Sequence, residues 1–216
     1  MTDSKRAPHR NIAIEGPIGV GKTTLAKMLA RYYRARTVLE EFADNPFLRD
    51  FYADRSQVAF QTQVYFLVTR FKQQEALRQQ ELFSQALVSD YLFAKDRIFA
   101  YLNLSDAELQ LYDRIYDLLQ PRVLAPDLVV YLQARTEVLL RRVKRRGRPM
   151  ESGIDAAYLD SLARGYNQCF FHYQETPLLV IETSDIDFEH DPDKYRLLVN
   201  HIDEVRAGTR YIVPQE

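Results

Sequence analysis

The residues with the clearest chemical potential are Gly16-Pro17-Ile18-Gly19-Val20-Gly21-Lys22-Thr23, a Gly-x-x-x-x-Gly-Lys-Thr run known as a P-loop. Its glycines allow backbone N–H groups to converge on phosphate oxygens, and a helix starting at the loop adds the partial positive charge of its N-terminus. The Lys22 side chain would reach the β- and γ-phosphates of a nucleoside triphosphate held on residues 16–24, and the Thr23 hydroxyl would bind Mg²⁺. Such a loop names a triphosphate and leaves the acceptor open, because GTPases, ATPases, motors and small-molecule kinases share it.

Carboxylates supply the next candidates. Glu40-Glu41 form a pair that could take a proton from an attacking hydroxyl, or could be solvated acids at a strand end. Asp90 could hold Mg²⁺ directly or through water, or could cap a following helix. A basic run, Arg141-Arg142-Val143-Lys144-Arg145-Arg146-Gly147-Arg148, has three readings: a nucleic-acid or nuclear-localisation patch, a solvated helix face, or a lid closing on triphosphate. The break at Gly147 after a helix favours the lid. No His/Cys cluster has the spacing of a zinc site.

These residues need elements to position them. Apolar runs predict five strands, over Asn11–Glu15, Thr37–Leu39, Ala86–Ser89, Asp127–Leu132 and Leu178–Ile181. Helical spacing predicts helices over Lys22–Arg34, Phe47–Tyr52, Ser56–Gln80, Tyr91–Leu102, Asp106–Leu119, Glu137–Arg145, Asp155–Glu175 and Pro192–Val205. The alternation implies an α/β fold with a five-stranded parallel sheet covered by helices, a three-layer P-loop arrangement. Ligands in such sheets sit at the carboxyl ends of the strands, which here carry Gly16, Glu41 and Asp90. One domain over residues 11–206 is expected, with a flexible lead-in over 1–10 and a tail over 207–216.

Bulk properties narrow the partners. The 216 residues are 46% hydrophobic and 27% charged with a net charge of −1, so a chain-wide attraction to nucleic acid or anionic membrane is not expected. The single cysteine, Cys169, cannot form an internal disulfide. No apolar run is long enough for a bilayer span, and the first residues lack the apolar core of a secretory signal, so a cytoplasmic location is expected.

Taken together, these motifs resemble the deoxynucleoside kinases, in particular the bacterial deoxyadenosine/deoxyguanosine kinase branch, from about Asn11 to Val205. The resemblance implies the P-loop kinase fold, an arginine-rich lid, ATP and Mg²⁺ as cofactors, a homodimer, and phosphorylation of a deoxynucleoside 5′-hydroxyl, with deoxyadenosine or deoxyguanosine as acceptor. It assigns the general base to Glu41, base recognition to Gln63 and Arg70 supported by Asp96, and sugar 3′-hydroxyl contacts to Tyr52 and Glu151. Arg142, Arg146 and Arg148 match the lid arginines around the phosphates, Asp187-Phe188 the loop along the ATP adenine, and Asp90 the acid of the family's Glu/Asp-Arg-Ser/Thr motif. Two positions depart from many members: Met150 replaces a second lid acid found in some relatives, and Tyr91 stands where many carry an arginine that helps hold phosphate and the reacting hydroxyl, though Ser89-Asp90-Tyr91 itself resembles the bacterial branch. A kinase of the thymidylate type would instead show Asp-Arg-Tyr/Phe after the third strand, and a P-loop GTPase an Asn/Thr-Lys-x-Asp motif; neither is present. A P-loop nucleotide-binding module without activity is the remaining alternative.

Overall fold

The computed structural model describes residues 8–42, 44–80 and 86–213. Strand β1 (Asn11–Glu15) is central, and Ile12, Ala13 and Ile14 are buried because the sheet is covered on both faces. The others are β2 (Arg36–Val38), β3 (Leu87–Ser89), β4 (Leu128–Gln133), β5 (Leu178–Glu182) and β6 (Thr209–Ile212). All neighbours pair in parallel, in the order β2-β3-β1-β4-β5-β6.

The sheet therefore has six strands rather than the expected five. The additional one, β6, lies in the segment read as a tail, where Thr209, Arg210 and Tyr211 are exposed on the sheet edge and produce no apolar run. At the other end, residues 1–7 of the expected lead-in lie outside the described residues. His9 is buried, and the Arg10 and Asn11 amides both donate to Asp127 Oδ2 at 2.6 and 2.9 Å, so the chain is anchored before β1 begins.

Eight helices surround the sheet among the described residues: α1 (Lys22–Tyr33), α2 (Leu48–Ala53), α3 (Arg55–Gln80), α4 (Lys95–Asn103), α5 (Asp106–Leu119), α6 (Thr136–Arg146), α7 (Ala156–Phe171) and α8 (Pro192–Glu204). Leu25 and Leu29 of α1 pack into one face of the sheet with Val130, Leu132, Leu159 and Ile202. Each such fully buried side chain contributes roughly 1.5–3 kcal/mol relative to exposure. The other face joins Val129, Tyr131 and Val180 to Leu162, Tyr166 and Phe170 of α7, with Tyr131 stacked on Phe170 at 4.3 Å. Helices α3, α4 and α5 form a flank around Leu67, Phe93, Tyr112 and Tyr116.

Two departures in the elements bear on the site. Helix α4 starts at Lys95, four residues later than the apolar spacing suggests, and Tyr91–Ala94 form a loop. Leu92 N donates to Glu15 Oε2 at 2.7 Å, and Ser89 Oγ donates to Tyr91 O at 2.9 Å; these bonds hold the loop out of the helix. Helix α3 bends at Val58, whose backbone is non-helical, where the chain turns after α2.

Candidate active site

The P-loop joins the end of β1 to α1. Gly16 and Gly21 have φ of +147° and +110°; a Cβ on Gly16 would lie 2.3 Å from Leu132 O, and one on Gly21 would lie 3.0 Å from the Phe188 ring. Only glycine allows this approach. Helix α1 has no side-chain cap at its N-terminus, so its first amides stay available for phosphate. Lys22 Nζ folds back onto the loop carbonyls of Gly16 and Pro17 at 2.7 and 3.2 Å. Burial, and next the ammonium of Lys95, lower its pKa to about 8. Incoming phosphate would replace those carbonyls as its partner.

A cleft beside the loop is lined by Thr24, Arg142, Arg146, Arg148 and residues 184–189, which include Asp187 and Phe188. Arg142 reaches this cleft with its guanidinium committed to Val20 O and Thr183 O at 3.2 and 2.9 Å, tying the lid helix α6 to the P-loop. Helix α6 ends at Gly147, whose left-handed φ of +66° turns the chain into a short 3-10 turn, Pro149–Glu151. That turn buries Glu151, which accepts from Arg146 at 2.7 Å and Arg148 at 3.3 Å. Met150, standing in place of a second lid acid, packs against the cluster of Leu48 and Phe51.

A second pocket opens on the far side of the loop. Lys22, Thr23, Arg146 and Arg148 line both, so a phosphate seated on the loop would lie between them. This pocket gathers Tyr52 from α2, Gln63 and Arg70 from α3, Asp90 from the end of β3, and Glu151 from the lid. Gln63, Arg70 and Asp96 are all buried. Arg70 pairs with both Asp96 and Glu40, and its guanidinium lies 4.7 Å over the Phe66 ring. Asp96 Oδ2 and Arg70 Nε are buried and have no hydrogen-bond partner among the described residues. Such groups cost free energy unless a ligand satisfies them, and the edge of a nucleobase could.

The carboxylate pair after β2 resolves into two environments. Glu41 is exposed and accepts a long hydrogen bond from Gln73 Nε2 at 3.4 Å. Glu40 lines the pocket, with its carboxylate held by Arg70 and by Lys95 Nζ at 2.5 Å. Burial alone would raise its pKa; Arg70 and Lys95 outweigh burial and hold it well below the usual carboxylate range. Of the two, Glu40 lines the pocket, while Glu41, to which the resemblance assigns the base, does not.

Asp90 does not cap a helix, since α4 begins at Lys95. Its Oδ2 accepts from Thr23 Oγ1 at 2.5 Å, and its Oδ1 accepts from Glu40 N at 2.7 Å. A hydroxyl paired with a carboxylate beside the phosphate loop is an oxygen donor set of the kind hard cations take.

A family model described as deoxynucleoside kinase matches residues 12–206. The chain belongs to the deoxynucleoside kinase family. The kinase is 35% identical over 199 residues to a deoxyguanosine kinase of Bacillus subtilis (strain 168), covering 90% of this chain and 96% of that one. It is 30% identical to the deoxyadenosine/deoxycytidine kinase of the same organism, covering 88% and 90%. A solved deoxyadenosine kinase from M. mycoides, with dCMP and a flexible dCDP bound as products, superposes with a TM-score of 0.75 at 26% identity, covering 89% of this chain and 98% of that one. The kinase is thus an enzyme that phosphorylates deoxynucleosides, on a P-loop kinase fold. Among its described residues no helix is long and apolar enough to cross a membrane.

Two residues of the kinase's site escape a reading by motif. Glu15 is fully buried and binds Gly16 N at 2.9 Å, Leu92 N at 2.7 Å and Tyr166 OH at 2.9 Å, joining the P-loop to the loop before α4 and to α7. Its signal was a lone acid closing an apolar strand next to a glycine loop. Lys95, only 3% exposed, interrupts an otherwise apolar segment, Tyr91–Ala94. A lysine that buried needs a partner, and Glu40 is that partner.

Proposed function

We propose that the kinase transfers the γ-phosphoryl group of ATP to the 5′-hydroxyl of deoxyguanosine or deoxyadenosine, in cytoplasmic nucleotide salvage. The observation that carries this reading is the joining of Glu40, Gln63 and Arg70, the last paired with Asp96 behind it, in one pocket that also contains Lys22 and Thr23. The purine preference is supported by likeness to deoxyguanosine and deoxyadenosine kinases.

In this reading the base lies against Gln63, Arg70 and Asp96, while Tyr52 and Glu151 contact the sugar 3′-hydroxyl. Arg70 transfers part of its bonding from Glu40 to the base, and the freed carboxylate becomes a better proton acceptor. Glu40 then takes the 5′-hydroxyl proton as the O5′–P bond forms and the bond from γ-phosphorus to the bridging oxygen breaks. ADP leaves with that electron pair. Lys22, Arg146 and Arg148 stabilise the charge on the transferring group, and Arg142 positions the lid. Phe188 and Asp187 flank the donor base. Thr23 and Asp90 would hold Mg²⁺, which supplies charge neutralisation on the phosphates. The Tyr101, Leu102, Leu111 and Leu118 side chains, exposed on α4 and α5, suit a homodimer interface, and sedimentation at twice the 25.3 kDa chain mass would support it.

The test is a phosphorylation assay with MgATP and each of the four deoxynucleosides. Highest kcat/KM with a purine deoxynucleoside is expected. Preference for thymidine, or for a nucleoside monophosphate as acceptor, would overturn the reading.

A further inference from the structure

The resemblance sets Tyr91 where many members of the family carry an arginine that helps hold phosphate and the reacting hydroxyl, a duty at the acceptor side of the pocket. Tyr91 cannot share it. The side chain is 1% exposed, packs with Val38, Leu77 and Leu87, and its hydroxyl accepts from Gln74 Nε2 at 3.0 Å. Position 91 points into the core beneath β2 and β3, away from the phosphates. The loop Tyr91–Ala94, pinned by Glu15 through Leu92 N, instead delivers Lys95 into the pocket as the first residue of α4.

We propose that Lys95 is the cation that replaces the missing arginine: it holds the Glu40 carboxylate in place before reaction, and turns to the transferring phosphoryl group as Glu40 takes the 5′-hydroxyl proton. The inference rests on the reading of Glu40 as the base. Three observations support it. Lys95 Nζ lies 2.5 Å from Glu40 Oε2, so the ammonium is already at the atom that would receive the proton. Lys95 lines the same pocket as Lys22, Thr23 and Asp90, which marks the side on which the γ-phosphate would arrive. Lys95 is also only 3% exposed, so its ammonium acts on a charge in the pocket with little screening by water.

Charge balance explains the transfer of Lys95 from one partner to the other. Before reaction the buried ammonium is neutralised by Glu40, as a buried cation must be. Protonation of Glu40 removes that neutralising charge as the phosphoryl group, with its negatively charged oxygens, passes to O5′. The ammonium then has one strong partner left, the transferring group. Lys95 reaches the pocket because α4 starts late and sets it as the first helical residue.

The test is steady-state kinetics on Lys95→Met, Lys95→Arg and Lys95→Ala in the full chain, with melting temperature and ADP binding measured on each. A group acting on the transition state gives a fall in kcat of about 10²–10³-fold for Lys95→Met, with both KM values nearly unchanged. Lys95→Arg should recover part of the loss, and added propylammonium should raise turnover of Lys95→Ala while propanol does not. The proposal is overturned if Lys95→Met keeps kcat within about twofold, or if neither Lys95→Arg nor propylammonium restores activity. Glu40→Gln separates the two readings. Full turnover in Glu40→Gln removes the base assignment. A large loss there beside an unaffected Lys95→Met removes only the role of Lys95.

Discussion

Adjacent residues of one type can have opposite fates, and Glu40 and Glu41 show it. Both follow β2, but Glu40 is half-buried and held by Arg70 and Lys95 while Glu41 faces solvent. The kinetic contrast should be large. Glu40→Gln removes the proton acceptor and one partner of two buried cations, so kcat should fall by about 10²–10⁴-fold. Glu41→Gln should stay near the parent enzyme. Steady-state assays with a folding check by circular dichroism decide between them; collapse of Glu41→Gln with intact Glu40→Gln would return the base to Glu41. The pattern of two acids after an apolar strand could not make this choice, because a one-residue shift in where the strand stops exchanges the inward and outward positions. Structure ends β2 at Val38, one residue before the expected end.

Elements carry the site because each ends at the same edge of the sheet. The lid meets the acceptor helix where Gly153 packs on α2: a Cβ there would fall 2.4 Å from the Tyr52 carbonyl oxygen, a backbone atom with little room to yield. Gly153→Ala should push the lid turn away from Tyr52 and loosen Glu151 from the sugar side of the pocket. Overpacking of this kind costs roughly 1–3 kcal/mol, so the acceptor KM should rise about tenfold with the ATP KM little changed. An unchanged acceptor KM would show that the lid turn does not shape that pocket. Much of this scaffold was legible beforehand. Strands β1, β3, β4 and β5 are apolar runs with abrupt ends, and α1 and α6 are bounded by glycines. Two things were not. β6 hides because an exposed edge strand needs no buried face. The late start of α4 hides because Tyr91, Leu92 and Phe93 are buried for reasons of loop packing, and their apolar character continues the helical pattern backwards. Missing that start also concealed Lys95, whose importance depends on its being the first residue of α4.

At the scale of the whole molecule, the approach to β1 and the end of α8 meet in one region. His9, before β1, is buried near the end of α8, where the backbone of Ile202 and Val205 favours its charged form. Burial lowers the His9 pKa below its ordinary 6.5; that backbone and Asp127 oppose the shift, and Arg206 adds to it. His201 on α8 is lowered in the same direction, by burial and then by Arg210, with Glu204 opposing. The consequence for stability has a definite sign. Below pH 6.5 the unfolded chain binds protons at these histidines that the folded chain still rejects, so stability falls as pH drops from about 6.5 towards the folded pKa values. Above 6.5 both states are neutral there and the contribution is constant. Melting curves between pH 7.5 and 5 should therefore show a decline, and His9→Gln, which cannot be protonated, should flatten part of it while lowering stability at pH 7.5 through lost packing. A variant whose melting temperature follows the parent in parallel across that range would mean that His9 is not held neutral by the fold. The readout is independent of catalysis, so it reports on the anchoring of β1 and α8, the two elements between which the N-terminal segment is fixed.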